Sequence, residues 1–484
     1  MIAYLALLPC AVAAIAVLAF RRSVLTASLL ALATAAGIWS LEVFSAATTG
    51  QLSRAAIDAI ILELLVGFVI FAGILFVTAS NRGGGQDALV QAIETLSLSP
   101  PRTVILVAVG IGVMMESLTG YGVSMFLTVP LLMKVVSRGR AICLALIGMS
   151  LMSWGALSIT ALLGAELAGL PPKVLAAAML FTSGPVAMVM PLFCLAFVPG
   201  VAFKDILYAL VAGLVLVSGI AICSHWIGVE IAGVGGGLAL IAFSVLFSVS
   251  KRSFAKSLTS PEILPYGLLI AAVVLQKLVV PELAVVGVDL AIETDRVSFH
   301  VLSSPGIALL AIAILCLVWR PTKERLAQSR DVFRAVTARS WPALLSILAF
   351  LMTARLLVET GSIQALATTV SAFGLYPAAA FTAVMGAIGS YVTGSGTAST
   401  ALFMTSAAAT GISFDAAPLF ASLQISAAAH AGVAALPIIA ILLAALSNRE
   451  VGDERTAVRM GLSLGAIWVL IVIASGSLQI AAVL

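Results

Sequence analysis

Two short stretches of this chain hold groups that could bind a small ion inside a membrane. The first is Met115–Leu132, MESLTGYGVSMFLTVPLL. It carries a carboxylate, Glu116, hydroxyls at Ser117, Thr119, Tyr121, Ser124 and Thr128, and glycines at 120 and 122. The second is Ser390–Ser406, SYVTGSGTASTALFMTS, with Thr393, Gly394, Ser395, Gly396, Thr397, Ser399 and Thr400. Both contain Thr-Gly-x-Gly inside otherwise apolar sequence. A helix end within lipid leaves N–H groups without partners, and these ends attract anions without a basic side chain. Glycine lets the backbone turn sharply and approach a ligand, and Ser and Thr hydroxyls can both donate and accept. Paired, interrupted helices of this kind mark a transporter's binding site.

The surrounding sequence demands a membrane. The chain is 62% apolar and 10% charged, against roughly 25% charged in a soluble domain. Its 484 residues leave room for about 12 spans of roughly 20 residues each. The apolar stretch from Met1 to Phe20 lacks a leading charge and reads as a first span rather than a cleaved signal. Apolar runs predict helices near 2–20, 24–44, 56–79, 102–117, 140–165, 173–198, 203–224, 226–249, 262–279, 301–319, 341–359, 376–391, 415–446 and 460–483. No catalytic motif or metal-ligand cluster is present, so no enzyme, cofactor or metal is expected. No basic run is dense enough to imply nucleic acid. The five cysteines are scattered without a CxxC pair, as small buried hydrophobes are. The run Gly233-Val234-Gly235-Gly236-Gly237 lies mid-span with no strand before it, which predicts close helix packing rather than a dinucleotide loop.

Loop charge sets orientation. The connections at 21–22, 80–102, 134–140, 199–204, 251–256, 320–339 and 448–459 hold 20 of the 25 Lys and Arg and should be cytoplasmic. The first motif then lies between two cytoplasmic loops, and the second between two outer ones. Each becomes a re-entrant hairpin, and the two have opposite orientations. The alternative, a single broken crossing at each motif, leaves basic loops outside. The flanks match as well. A full span, a short amphipathic piece and a proline (Pro101, Pro377) precede each motif, and a long apolar span follows. The expected architecture is an all-α polytopic membrane protein with an inverted-topology repeat. Its divisions are N-terminal helices over 1–54, a first repeat over 55–200, intervening helices over 201–339 and a second repeat over 340–484.

Glu116-Ser117-Leu118-Thr119-Gly120-Tyr121-Gly122 resembles the Glu-Gly-x-x-Gly-Phe-Gly signature of the bacterial lactate permease family. The stretch from Thr393 to Phe403 resembles that family's Thr-Gly-Ser-Asp/Asn-Thr-x-Ser-Asn-x-x-Phe, and Leu423–Gln424 before Ala427–Ala431 is also similar. Gly396, Thr400 and Ser117 depart from the family pattern, which bears on substrate more than on fold. The resemblance implies an inner-membrane permease that moves lactate, glycolate or related monocarboxylates with protons. Sodium coupling or another organic anion is the alternative.

The substrate-binding candidates are Thr119, Gly120, Tyr121, Gly122, Ser124, Thr393, Gly394, Ser395, Gly396, Thr397, Ser399, Thr400 and Gln424. An intramembrane carboxylate is costly and usually functional, so Glu116 is the leading proton-coupling candidate. His430, the only histidine inside a span, is the second. Arg355 could hold a substrate carboxylate, or it could snorkel and pair with Glu359 one turn later. Asp58 reads as interfacial, and Glu63 as a deeper, weaker proton-path candidate.

Overall fold

A computed structural model describes residues 2–45, 48–120, 122–248, 251–318, 325–446 and 448–483. Lipid offers backbone groups no partners, so spanning segments must satisfy their own hydrogen bonds. The described residues are accordingly helical, apart from short turns and one small β-hairpin.

The first half opens with α1 (Leu8–Leu18) and α2 (Val24–Ser40). Ser23 caps α2 by accepting a bond from the Thr26 amide at 3.1 Å. A capping box of Thr48 and Gln51 starts α3 (Thr49–Arg82). Left-handed Gly84 then leads into amphipathic α4 (Gly85–Glu94). Next come α5 (Pro100–Thr119), α6 (Val123–Met133), α7 (Arg138–Gly148), α8 (Gly155–Ala168), α9 (Pro172–Thr182) and α10 (Gly184–Leu195). Between the halves lie α11 (Phe203–Trp226), α12 (Ala232–Leu246), α13 (Lys251–Leu258), α14 (Leu264–Val285), strands β1 (Ala291–Glu293) and β2 (Ser298–His300), and α15 (Gly306–Val318).

The second half repeats the order of the first. The long α16 (Arg325–Glu359) ends at left-handed Gly361, and amphipathic α17 (Ser362–Ser371) follows. Then come α18 (Leu375–Thr393), α19 (Gly396–Ile412), α20 (Ala417–Ala431), α21 (Leu436–Ala445) and α22 (Asp453–Val483). Long helix, amphipathic helix, hairpin and bent helix thus occur twice in the same sequence.

Both motifs form hairpins. α6 folds back along α5, and Gln86 Nε2 donates to the Phe126 carbonyl at 2.8 Å. At the base, Lys134 pairs with Glu94, so both ends of the hairpin reach one face. In the second hairpin Ser399 Oγ donates across to the Gly386 carbonyl at 2.8 Å, and α19 packs against α18.

Eight described helices are long and apolar enough to cross a membrane, and up to eleven spans result if each bent pair counts once. Three features depart from the expected helices. The spans near 140–165, 173–198 and 415–446 are broken rather than continuous, the middle one bending by 43° between α9 and α10. α7 and the helical run Met152–Ala168 bend by 51°, and α20 and α21 bend by 49°. Gly148 and Gly155 flank the first break, Gly432 and Pro437 the third, and a helix loses hydrogen bonds or gains freedom at such residues. α16 also begins inside the basic 320–339 connection. The two-stranded hairpin pairs Ala291 with His300 and Glu293 with Ser298 where only a loop was expected.

The glycine run packs as the sequence implies. A methyl on Gly237 would sit 2.7 Å from the Met114 amide nitrogen and 2.8 Å from the Gly110 carbonyl oxygen. Gly237→Ala is therefore expected to force α12 off the first hairpin and cost about 1–3 kcal/mol. Gly267 faces open space, so Gly267→Ala serves as the neutral control. Thermal unfolding in detergent measures both.

Candidate functional site

The two hairpin tips and two of the three helix breaks surround one cavity of about 370 Å³. From the first hairpin come Glu116 and Gly120. From the second come Thr393 to Ala398. The bent helices contribute Gly155, Ala156, Ile159 and Thr160 on one side and Pro437, Ile438 and Ile441 on the other. Among the described lining residues, Glu116 is the only one with an acidic or basic side chain.

Glycine makes each tip. Gly120 has φ 68° and ψ −173°, and Gly122 has φ 73°, conformations that cost side-chain-bearing residues heavily. Gly394 is left-handed at φ 71°. The Glu116 carboxylate, 3% exposed, staples its own tip. Its Oε1 accepts from the Gly122 amide at 3.2 Å, and its Oε2 from Ser124 Oγ at 2.9 Å. In the second tip Thr393 Oγ1 donates to the Gly389 carbonyl at 2.8 Å. Ser395 caps α19 by accepting from the Ala398 amide at 3.3 Å. The first amides of α19, at Gly396 and Thr397, have no carbonyl to bond within the helix, and both residues border the cavity. α21 likewise begins at the cavity wall. Two helix N-termini, with their partial positive charge, therefore border a space lined by the Glu116 carboxylate and by no basic side chain among the described residues.

The opposite wall is a strained turn. Ala156, Leu157 and Ser158 have φ of 47°, 53° and 57°. Each left-handed residue costs roughly 1–2 kcal/mol, and such strain concentrates where sites are built. Ser158 Oγ anchors the turn to the Val229 carbonyl at 2.7 Å. Ala156 presses on the first tip, so a methyl on Gly120 would lie 2.7 Å from the Ala156 Cβ. Thr160 Oγ1 meets Thr397 Oγ1 at 2.8 Å and ties this wall to the second tip. From the buried tips the cavity extends to Ser23 and Pro342, both exposed and both next to basic connections.

A model of the L-lactate permease family matches residues 2–263 and 261–483. The chain belongs to the L-lactate permease family. It is a multi-pass membrane protein of a transporter family, with the repeated all-α architecture described above. Among curated proteins none matches the chain.

The candidate residues divide around the cavity. Glu116, Gly120, Thr393, Gly394, Ser395, Gly396 and Thr397 line it. Thr119 turns away, and its hydroxyl donates to the Met115 carbonyl at 2.6 Å. Gly122 and Ser124 serve the tip through Glu116. Ser399, Thr400 and Gln424 bond one another at 3.3–3.4 Å and join α19 to α20. Tyr121 lies outside the described residues. His430 is fully buried away from the cavity. Its Nδ1 lies 2.5 Å from the Ser150 carbonyl, which can only accept, so Nδ1 carries the proton and Nε2 accepts from Ser183 Oγ at 2.9 Å. Arg355 sits off the cavity too, and the expected Arg355–Glu359 pair does not form because Glu359 is bonded by Arg296. Asp58 is 1% exposed, roofed rather than interfacial.

Thr160, the strained turn and the α21 start escaped the sequence reading. The signal was there in Trp154-Gly155 and in Leu436-Pro437, small or helix-breaking residues at matched places after each motif. Thr397→Ala is expected to lower transport at least threefold with little loss of stability, because it removes a hydroxyl at the cavity. Ser399→Ala, at a limb-to-limb bond, should instead lower the melting temperature and spare substrate affinity. Initial transport rates and thermal unfolding of both variants separate the two roles.

Proposed function

We propose that the chain is a proton symporter for small monocarboxylates such as lactate and glycolate, acting in the cell inner membrane. The observation that carries this reading is the pairing of Glu116, alone among acidic and basic side chains, with two helix N-termini around one cavity. The N-termini take the carboxylate, and Thr160 and Thr397 offer the hydroxyl donors and acceptors that a 2-hydroxyl group needs. Ile159, Ile438 and Ile441 cover its carbon chain. Glu116 takes the proton. As a carboxylate it accepts from Gly122 and Ser124. Protonation converts one oxygen to a donor, loosens that staple and frees the tip to move. Proton and anion together leave the site close to neutral, which lowers the cost of crossing lipid. The cavity's reach to Ser23 and Pro342 corresponds to an inward-open state.

Uptake of labelled L-lactate into proteoliposomes tests the reading. Accumulation is expected under an imposed pH gradient and not under a sodium gradient. Driving by sodium alone overturns the proton assignment, and no uptake under either gradient overturns the substrate. Glu116→Gln is expected to abolish accumulation above equilibrium while retaining lactate counterflow. Accumulation at the parent level would remove Glu116 as the coupling group.

A further inference from the structure

The β-hairpin covers a second polar site. Three alternate residues of its 294–298 segment each engage a carboxylate from a different helix. Thr294 Oγ1 donates to Asp58 Oδ1 of α3 at 2.7 Å. Arg296 bonds Glu359 of α16. The Ser298 amide and hydroxyl donate to Glu166 Oε1 of α8 at 2.5 and 3.2 Å. These residues sit in and beside the hairpin's closing turn, where the Thr294 amide donates to the Val297 carbonyl at 2.9 Å. The fastening lies at the end of the molecule opposite the basic connections, which is the outer side.

Beneath this roof is Arg355, 7% exposed. The charges acting on it are those of Asp58, Arg296, Glu166 and Glu359. Two buried atoms here lack partners among the described residues, the donor Arg355 Nε and the acceptor Asp58 Oδ2. An unmade buried hydrogen bond is costly, and more so at a charged group. The hairpin engages the other oxygen of Asp58 and one oxygen each of Glu166 and Glu359, and neither orphan atom finds a partner among the described residues. Glu166 follows Ile159 of the cavity wall by seven residues, two helical turns or about 10 Å outward.

We propose that Arg355 and Asp58 form an outer station for a 2-hydroxy carboxylate, entered when the hairpin lifts and occupied before the midplane cavity. The carboxylate accepts from the Arg355 guanidinium, and the 2-hydroxyl donates to Asp58 Oδ2. One ligand thus supplies both missing partners, and an acid without the hydroxyl supplies only one. The inference rests on the transport reading above but concerns different residues.

The test uses the full chain in proteoliposomes, with initial uptake from the outer face and L-lactate and propionate as probes. Arg355→Lys keeps the charge and loses the planar fork. It is expected to raise the KM for both acids about tenfold, whereas a purely structural role would lower the maximal rate. Asp58→Asn keeps the Thr294 bond through its amide oxygen and replaces the free acceptor with a donor. It is expected to cut the preference for lactate over propionate about tenfold with the propionate KM unchanged. An unchanged KM in Arg355→Lys, or an unchanged preference in Asp58→Asn, overturns the station. If Arg355→Lys does not elute as a folded species, Asp58→Asn alone decides. A parent chain that moves neither acid sinks the transport reading, whereas parent uptake with unaltered variants sinks the station alone.

Discussion

A peptide group in lipid has no water to bond, and this one constraint governs the molecule. Unbroken helices meet it by closing every bond internally. Around the cavity the chain breaks helices at four places, the two hairpin tips and two of the three bends, and each break leaves amides or carbonyls to be accounted for. Those at the first tip bind Glu116, those at the second bind Ser395 and Thr393, and those left over face a shared cavity. Irregular backbone at membrane depth is tolerated where it lines a cavity, so the site exists because the breaks are gathered in one place.

Gathering them takes close packing from the rest of the fold. The glycines of α12 admit Met114 and Ser117 of the first hairpin, and Gly386 admits the backbone of α20 at Gln424. Small residues permit helices to approach this closely where no hydrophobic driving force separates helix from lipid. Strain enters at the turn of Ala156, Leu157 and Ser158, held by one bond to Val229. Because Ala156 touches the place a Gly120 side chain would take, tip and turn cannot move independently. Movement of the first tip is thereby linked to the strained turn at the start of α8.

The polar groups fall into two layers. Around the cavity lie a single carboxylate and uncharged polar groups. At the end opposite the basic connections the β-hairpin engages three carboxylates, and Arg355 is buried nearby. The cavity reaches the basic-loop face while the opposite face is fastened, which is the asymmetry alternating access requires of one state.

Much of this was legible in the chain itself. Hydropathy found the apolar part of most helices, because a span must be apolar whatever its neighbours are, but it missed the bends and the polar first half of α16. The two Thr-Gly-x-Gly motifs, with Glu116 beside one, marked the hairpins, because their matched flanks set them apart from glycines that only pack helices together. Loop arginines and lysines carry the expectation of which face is cytoplasmic. Which side of a tip faces the cavity was settled only by tertiary packing. Thr397 and Ser399 are two residues apart on α19, and one meets Thr160 while the other braces its own hairpin. Ser124 and Gln424 are equally polar, yet they serve the framework. The β-hairpin and its hold on Asp58, Glu166 and Glu359 join residues up to 236 positions apart. Local pattern reports the environment a residue prefers. The neighbours that supply it are chosen by how helices far apart in sequence pack, and that choice decides whether a polar group binds substrate or the protein.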